Sequence, residues 1–159
     1  MLAVPIGYSN QWFSVGGGVS FTYEHEAGER TSIEGMLGFV PMGVASEADQ
    51  IISKAAWVPL TVAFKYYPGR RTQEGFYAGA HIGYQSLSIA TRDTASLPIE
   101  TGLAKGFEFH IGLGAMMGYK WEHFEVGLQN HLLLDRTGIA GVKPQQFIGL
   151  RFAYQLNFD

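Results

Sequence analysis

Residues 106–120 read GFEFHIGLGAMMGYK. Phe107, Phe109, Ile111, Leu113, Ala115, Met117 and Tyr119 alternate without a break with Glu108, His110, Gly112, Gly114, Met116, Gly118 and Lys120. A period of two puts the first set on one face of an extended strand and the second on the other. One face is large and apolar. The other is glycine interspersed with single polar groups, and that asymmetry decides the fold.

The same pattern recurs on both sides. Upstream, EGFYAGAHIGYQSL sets Phe76, Ala78, Ala80, Ile82 and Tyr84 against Tyr77, Gly79, His81, Gly83 and Gln85. WVPLTVAFKYY sets Val58, Leu60, Val62, Phe64 and Tyr66 against Trp57, Pro59, Thr61, Ala63, Lys65 and Tyr67; SIEGMLGFV opposes Ile33, Leu37 and Phe39 to Glu34, Met36 and Gly38. In QWFSVGGGVSFTYE, Phe13, Val15, Val19, Phe21 and Tyr23 form the apolar side of one long strand, and LAVPIGY begins the chain with Leu2, Val4, Ile6 and Tyr8. Downstream, HFEVGLQNHLLL carries Phe124, Val126, Leu128 and Leu132, opposite Glu125, Gly127, Gln129 and His131. The last strand, FIGLRFAYQLNFD, carries Ile148, Leu150, Phe152, Tyr154, Leu156 and Phe158 opposite Gly149, Arg151, Ala153, Gln155 and Asn157. Pro5 and Pro59 fall inside strands, where bulges or fraying are expected.

Connections alternate in length. HEAGER (25–30), PGRRTQE (68–74) and KWEH (120–123) are short, whereas PMGVASEADQIISKA (41–55), TRDTASLPIETGLAK (91–105) and DRTGIAGVKPQ (135–145) are long. Short turns at one end and long loops at the other describe an up-and-down antiparallel meander. In the second loop end, ASEADQIISKA is expected to form a short helical turn with Ser46 as its cap.

Eight strands close around an interior just wide enough to be filled by side chains. The large apolar faces are too bulky to fit there, while the glycine-rich faces fit well and carry too few charges for a surface turned to water. The apolar faces therefore point outward to hydrocarbon. Trp12, Phe13, Phe39, Trp57, Phe107 and Phe147 near the long loops, and Tyr23, Tyr66, Phe76, Tyr119, Trp121, Phe124 and Phe158 near the short turns, are expected to form two interfacial girdles. The fold expected is all-β: an eight-stranded antiparallel up-and-down transmembrane barrel, one domain over residues 1–159, in a Gram-negative outer membrane with both termini periplasmic. Met1 abuts strand-like sequence directly, as it would where a start methionine stands in place of a removed leader; no signal peptide is present within the sequence.

Composition agrees with this. Aromatics reach 14% and glycines number 21, while the net charge is only −3. No basic cluster exceeds Arg70-Arg71, so a nucleic-acid partner is not expected. The chain has no cysteine, which excludes a disulfide framework and a thiolate metal site.

FTYEHEAGERTSIEGMLGFVP (21–41), FKYYPGRRTQEGFYAGAHIGY (64–84) and FAYQLNF (152–158) give the chain its resemblance to a known family. It resembles the small eight-stranded outer-membrane barrels of the broad OmpA/OmpX-like class, and is most similar there to Bacteroidota outer-membrane barrel domains of unknown function. The resemblance implies that Gly149, Phe152, Tyr154, Leu156 and Phe158 form the closing-strand signal read by the outer-membrane assembly machinery. Asp159 follows the final aromatic, where the commonest form of that signal ends on the aromatic itself.

The class includes lipid A deacylases and palmitoyltransferases, which need a serine, a histidine base and an acidic orienter within reach of a lipid chain. Of the five histidines, His25 and His123 lie at short turns and His81, His110 and His131 on the interior face; no His-x-Ser motif occurs. No enzymatic activity and no cofactor are expected. Pairing across KWEH would bring His110 opposite His131, or one register step away, with Glu108 nearby, a set that could hold zinc or a similar ion. A hydrogen-bonded interior of Glu34, Lys65, His81, Glu108, His110, Glu125, Gln129, His131 and Arg151 is the stronger expectation, and no metal is assigned. The interior charges Glu24, Glu34, Lys65, Glu108, Lys120, Glu125 and Arg151 are expected to form a salt-bridged plug in which Lys65 and Arg151 each neutralise an acidic neighbour. The expected role is structural, or an accessory one in which the long outer loops meet a protein partner, with outer-membrane lipids around the wall. A lipid-modifying enzyme and a small gated pore are the alternatives.

Overall fold

A computed structural model of the chain describes residues 1–46, 48–49, 51–69, 74–91, 106–134 and 144–154, with the backbone alone for Tyr8, Phe107 and Glu108. The described chain is almost entirely extended: β1 (Leu2–Ile6), β2 (Phe13–Gly17), β3 (Val19–Gly28), β4 (Thr31–Val44), β5 (Ile52–Tyr66), β6 (Gly75–Thr91), β7 (Gly106–Lys120), β8 (Phe124–Leu134) and β9 (Gln145–Tyr154). One 3-10 turn, Gly7–Gln11, joins β1 to β2. From β3 to β9 each strand pairs antiparallel with the next, β9 pairs with β1, β1 with β2, and β2 with β4. Since β2 and β3 are one stretch broken at Gly18, the sheet closes in a ring of eight strands.

Burial follows the period of two. Along β9, Gln145, Phe147, Gly149 and Arg151 are buried while Phe152 and Tyr154 are exposed; along β5, Thr61, Ala63 and Lys65 are buried while Leu60, Val62 and Phe64 are exposed. Apolar side chains cover the outside and charged ones fill part of the inside, the reverse of a water-soluble fold. Among the described residues, the outward side chains between the two rims carry no charge. Asn130 and Gln146, which contact each other at 3.5 Å, are polar interruptions. No helix among the described residues is long and apolar enough to cross a membrane.

Three aromatics expected on the outer rim are inside. Phe13, Trp57 and Phe147 are fully buried with Met42, Ile52, Leu87 and Leu133 in a plug near the long-loop end. Trp57 and Phe147 obey the alternation, each sharing the inward parity of its strand. Phe13 turns in because a register shift between Ser14 and Gly16, against β4, inserts an extra residue and reverses the parity. Phe39 stays exposed and Trp12 half-buried, whereas at the short-turn end Tyr23, Tyr66, Phe76, Tyr119, Trp121 and Phe124 are all exposed. The described girdle is thus well developed only at that end, where Tyr119 packs on Trp121 (4.8 Å) and Phe124 on Tyr154 (5.1 Å). Phe158 and the side chain of Phe107 lie outside the described residues, as does most of the loop at 91–105 and 135–145.

Strands are longer and links shorter than the sequence suggests. β4 and β5 take Pro41–Val44 and Ile52–Ala55 out of the loop, whose described part is held by Ala48 N–H on Ala45 O and by Ile51 and Ile52 N–H on Ala48 O. Neither proline produces a bulge: Pro5 pairs with Phe147 and Pro59 with Gln85 in unbroken register. Against β4, however, the ladder passes from Leu37–Leu60 to Val40–Trp57 and skips Val58 and Pro59, the local fraying expected there. On its other side the Pro59 ring occupies the room left by Gly38, where a Cβ would meet Pro59 Cγ at 2.9 Å.

Trp57 stacks on Phe147 (5.3 Å) and meets His131 edge-on (4.6 Å), and its Nε1 donates to Gln85 Oε1 at 3.1 Å. Trp57→Ala should therefore cost about 3–5 kcal/mol in reversible urea unfolding, while Leu60→Ala on the outer face of the same strand should cost well under half as much.

Candidate functional site

The interior has tiers. Nearest the short turns, six ionisable groups from six strands converge: Glu24 (β3), Glu34 (β4), Lys65 (β5), Lys120 (β7), Glu125 (β8) and Arg151 (β9). Lys65 Nζ stands 2.7 Å from Glu34, 3.1 Å from Glu125 and 3.4 Å from Glu24. Arg151 grips Glu34 with both terminal nitrogens, at 2.6 and 2.9 Å, and also bonds Glu125. Lys120 Nζ meets Glu24 at 3.0 Å. Three carboxylates thus face three cations, which is the condition for holding them in so small a space.

Two phenols and a hydroxyl complete the cluster. Tyr67 donates to Glu24 at 2.7 Å, Tyr77 donates to Glu125 at 2.6 Å, and Ser32 donates to Glu24. Lys65 Nζ also lies 4.6 Å from the Tyr77 ring centre, over its face. Space for Tyr77 comes from β7 and β8: a Cβ on Gly118 or Gly127 would sit 2.5 or 2.4 Å from the Tyr77 hydroxyl.

The three carboxylates have oxygens within 4.8 Å of one another, a spacing a divalent ion could use. The central position belongs to the Lys65 ammonium, which touches all three. An entering cation would have to displace it.

Above the ion pairs lies a neutral tier. The His81 and His131 rings pack tilted by 46° with centres 4.3 Å apart, His81 Nε2 is 3.0 Å from Asn130 O, and His131 Nε2 is 3.2 Å from Gln129 Oε1. The approach of His81 to Asn130 crosses Gly114, where a Cβ would lie 1.6 Å from that carbonyl oxygen. His131 in turn contacts Trp57, so His81, His131, Trp57, Phe147 and Phe13 form a continuous column into the apolar plug.

The pairing expected of His110 and His131 does not form. Across the turn, Lys120 pairs with Glu125 and Leu113 with Leu132, which sets His131 against the Gly114–Ala115 stretch. His110 pairs with Gln85 of β6, and because the turn spends Trp121 to His123 on reversing the chain, it falls beyond Ile111–Leu134, the last described pair of β7 and β8. Glu108 pairs by its backbone with Leu87, and its side chain lies outside the described residues. Glu34, Lys65, Glu125 and Arg151 meet in one cluster; His81, Gln129 and His131 meet in the tier above it. Of the residues expected to form a closing-strand signal, Gly149 is buried, Phe152 and Tyr154 are exposed, and Leu156 and Phe158 fall outside the described residues.

Glu24 and Lys120 join the ion pairs as interior charges of the plug, as their parity suggests. Tyr67, Tyr77 and Gln85 belong to the network as well; their inward parity was readable but their role was not, since phenols at strand ends read equally well as interfacial aromatics. Outside the wall, Phe39, Pro41, Val44, Lys54, Ala56 and Ser88 help line an open groove of about 670 Å³ that has serines but no histidine in its lining.

Arg151→Ala should cost about 3–5 kcal/mol, because Glu34 and Glu125 lose their shared partner without leaving the interior. Combining Arg151→Met with Glu34→Gln should cost less than the sum of the single changes, and a double-mutant cycle in urea unfolding should give a coupling above about 1 kcal/mol. No protein-family model matches the chain and no curated protein matches it significantly, so the tiers of the interior and the apolar wall are what its function has to be read from.

Proposed function

We propose that the chain is an integral outer-membrane β-barrel, non-enzymatic and without a cofactor, whose interior is plugged by its own side chains and whose role is structural or accessory. The observation that carries this reading is the inversion of polarity: exposed apolar side chains on every strand surround a buried cluster of three carboxylates and three cations. In water such a surface would aggregate, and in a bilayer it is the required one. Strands of 10 to 17 residues in β3 to β9 are long enough to cross when tilted.

In this reading the wall contacts outer-membrane lipids, the short turns face the periplasm, and the exposed short-turn aromatics sit at that interface. The closing strand, with Gly149, Phe152, Tyr154, Leu156 and Phe158, is what the assembly machinery reads. The OmpA/OmpX-like resemblance supports the same architecture. Protein partners, where present, meet the long loops, because the wall presents hydrocarbon and the interior is full.

The competing reading of a gated pore meets two barriers in series: the ion-paired tier and the Phe13–Trp57–Phe147 plug above it. Removing one leaves the other shut. The lipid-modifying reading lacks a histidine beside a serine in the outer groove.

The protein should require detergent to stay monomeric and should migrate on gels at different positions before and after boiling; monodisperse behaviour without detergent would overturn the membrane reading. In planar bilayers the wild type and Arg151→Ala should both be silent, whereas Arg151→Ala combined with Trp57→Ala should conduct. Stepwise conductance from the wild type would refute the plug.

A further inference from the structure

Two imidazoles stand between the two barriers of the interior and touch each other. His131 meets Trp57 of the apolar plug at 4.6 Å and packs on His81 at 4.3 Å. Ala63 of β5 pairs with Glu34 of β4 on one side and with His81 of β6 on the other. The His81 ring and the Glu34 carboxylate thus flank a methyl group, and the pair reaches from the aromatic barrier to the ionic one.

The contacts fix where each ring carries its hydrogen. Between Leu113–Leu132 and Met116–Gln129 the β7–β8 ladder skips two pairs, and there Asn130 O is met by His81 Nε2 at 3.0 Å. Gly114 leaves the ring its room, since a Cβ there would lie 2.6 Å from His81 Nε2. A carbonyl oxygen only accepts, so Nε2 is the donor and Nδ1 keeps the lone pair. His131 Nε2 faces Gln129 Oε1 at 3.2 Å, which assigns its lone pair to Nδ1 as well. Neither Nδ1 meets a protein partner, and the rings are 5% and 0% exposed. The ion-paired histidine among the described residues is His123 at the short turn, 3.6 Å from Glu122, and not either of these.

We infer that His81 and His131 form an acid-sensitive latch between the ionic tier and the apolar plug: neutral, the pair packs the two together, and a proton on either ring loosens both. The inference rests on the proposed barrel with a plugged interior and adds its regulation.

The charges facing the pair leave a new cation no counterion. Glu34 on β4 already gives Oε1 to Arg151 and Oε2 to Lys65 and Arg151. Glu125 on β8 is shared by Lys65, Arg151 and Tyr77, and Glu24 on β3 by Lys65, Lys120, Ser32 and Tyr67. Three carboxylates balance three cations, so a charged His81 would compete for Glu34 with Lys65 and Arg151. Arg151 on β9 confronts His131 with its own positive charge, and two imidazolium rings 4.3 Å apart repel each other. Trp57 of β5 and Phe147 of β9, on the other side, are uncharged. On β7 the remaining titratable groups are His110, buried beside Gln85, and Glu108, two residues nearer the long loops, whose side chain lies outside the described residues.

The sign of the pH dependence follows. An unfolded chain takes a proton on each ring as pH falls through about 6.5, and the folded interior has no counterion for either. Stability is therefore full above that pH and falls below it, with the unfolding constant rising by up to about 100-fold per pH unit for two protons.

Trp57 reports on the latch directly, because with Trp12→Phe and Trp121→Phe it is the last indole in the chain. In detergent, acrylamide should quench its fluorescence weakly at about pH 7.5 and severalfold more strongly at about pH 5, where the carboxylates are still ionised, and neutral pH should reverse the change. His81→Gln keeps an N–H for Asn130 O, and His131→Phe keeps a ring against Trp57. Together they should abolish the acid response of Trp57 while leaving heat-modifiable migration intact. Where the combination does not fold, His131→Phe alone decides, and it should lower the acid rise in the unfolding constant about tenfold per pH unit in urea. Quenching equal and weak at both pH values, an acid response that survives both substitutions, or one that His110→Gln removes instead would overturn the latch and leave the requirement for detergent untouched. Strong quenching already at neutral pH would overturn the plugged interior and the latch with it.

Discussion

The ammonium group of Lys65 is where the parts of this molecule meet. It lies among Glu24, Glu34 and Glu125, and these are tied in turn to Lys120 and Arg151, so a single buried network draws on six strands distributed around the ring. A charge with no water around it is tolerable only when its partners are close and its sign is matched. That requirement acts on the whole sheet. β3, β4, β5, β7, β8 and β9 must hold their register together, since a one-residue slip in any of them would turn a charge outward and orphan its partners inside.

The two ends of the interior are closed by different physics. At the short-turn end the filling is ionic and directional: bidentate Arg151, phenols donating to carboxylates, Lys65 over the Tyr77 ring. At the long-loop end it is apolar and shape-dependent, with Trp57 stacked on Phe147 and Phe13 behind it. His81, His131, Gln85 and Gln129 lie between, with Gln85 and His131 both in contact with Trp57 of the apolar tier. The two fillings are independent of each other, because a perturbation that loosens ion pairs leaves the aromatic packing in place, and the reverse.

Much of the wall was legible in the sequence because a period of two is a strong signal over 10 to 15 residues and a slip in reading it exchanges the two faces completely. Arg151 and Lys65 were readable as interior by parity alone. The errors have physical sources. Phe13 shares its parity with Val15 and Val19, and nothing in Phe-Ser-Val-Gly announces the bulge that turns it inward. Trp57 and Phe147 had inward parity, yet the preference of aromatics for interfaces suggested the rim; the interior wins because an eight-strand ring needs bulk somewhere, and its glycine positions leave room for it. The register of His110 depended on how many residues the Trp121–His123 turn consumes, which composition does not specify. That Tyr67 and Tyr77 donate to carboxylates depends on pairs 43 and 48 residues apart, beyond any local pattern.

Glu24 on β3 and Arg151 on β9 reach into the ion-paired tier from strands that lie on either side of β1 in the ring. Glu24 is held by Lys65, Lys120, Ser32 and Tyr67, and Arg151 by Glu34 and Glu125. β3 and β9 are thereby cross-braced through the interior: Lys65 reaches Glu24, Glu34 and Glu125 while Arg151 binds the last two, so the ring is held by its filling as well as by its backbone pairing.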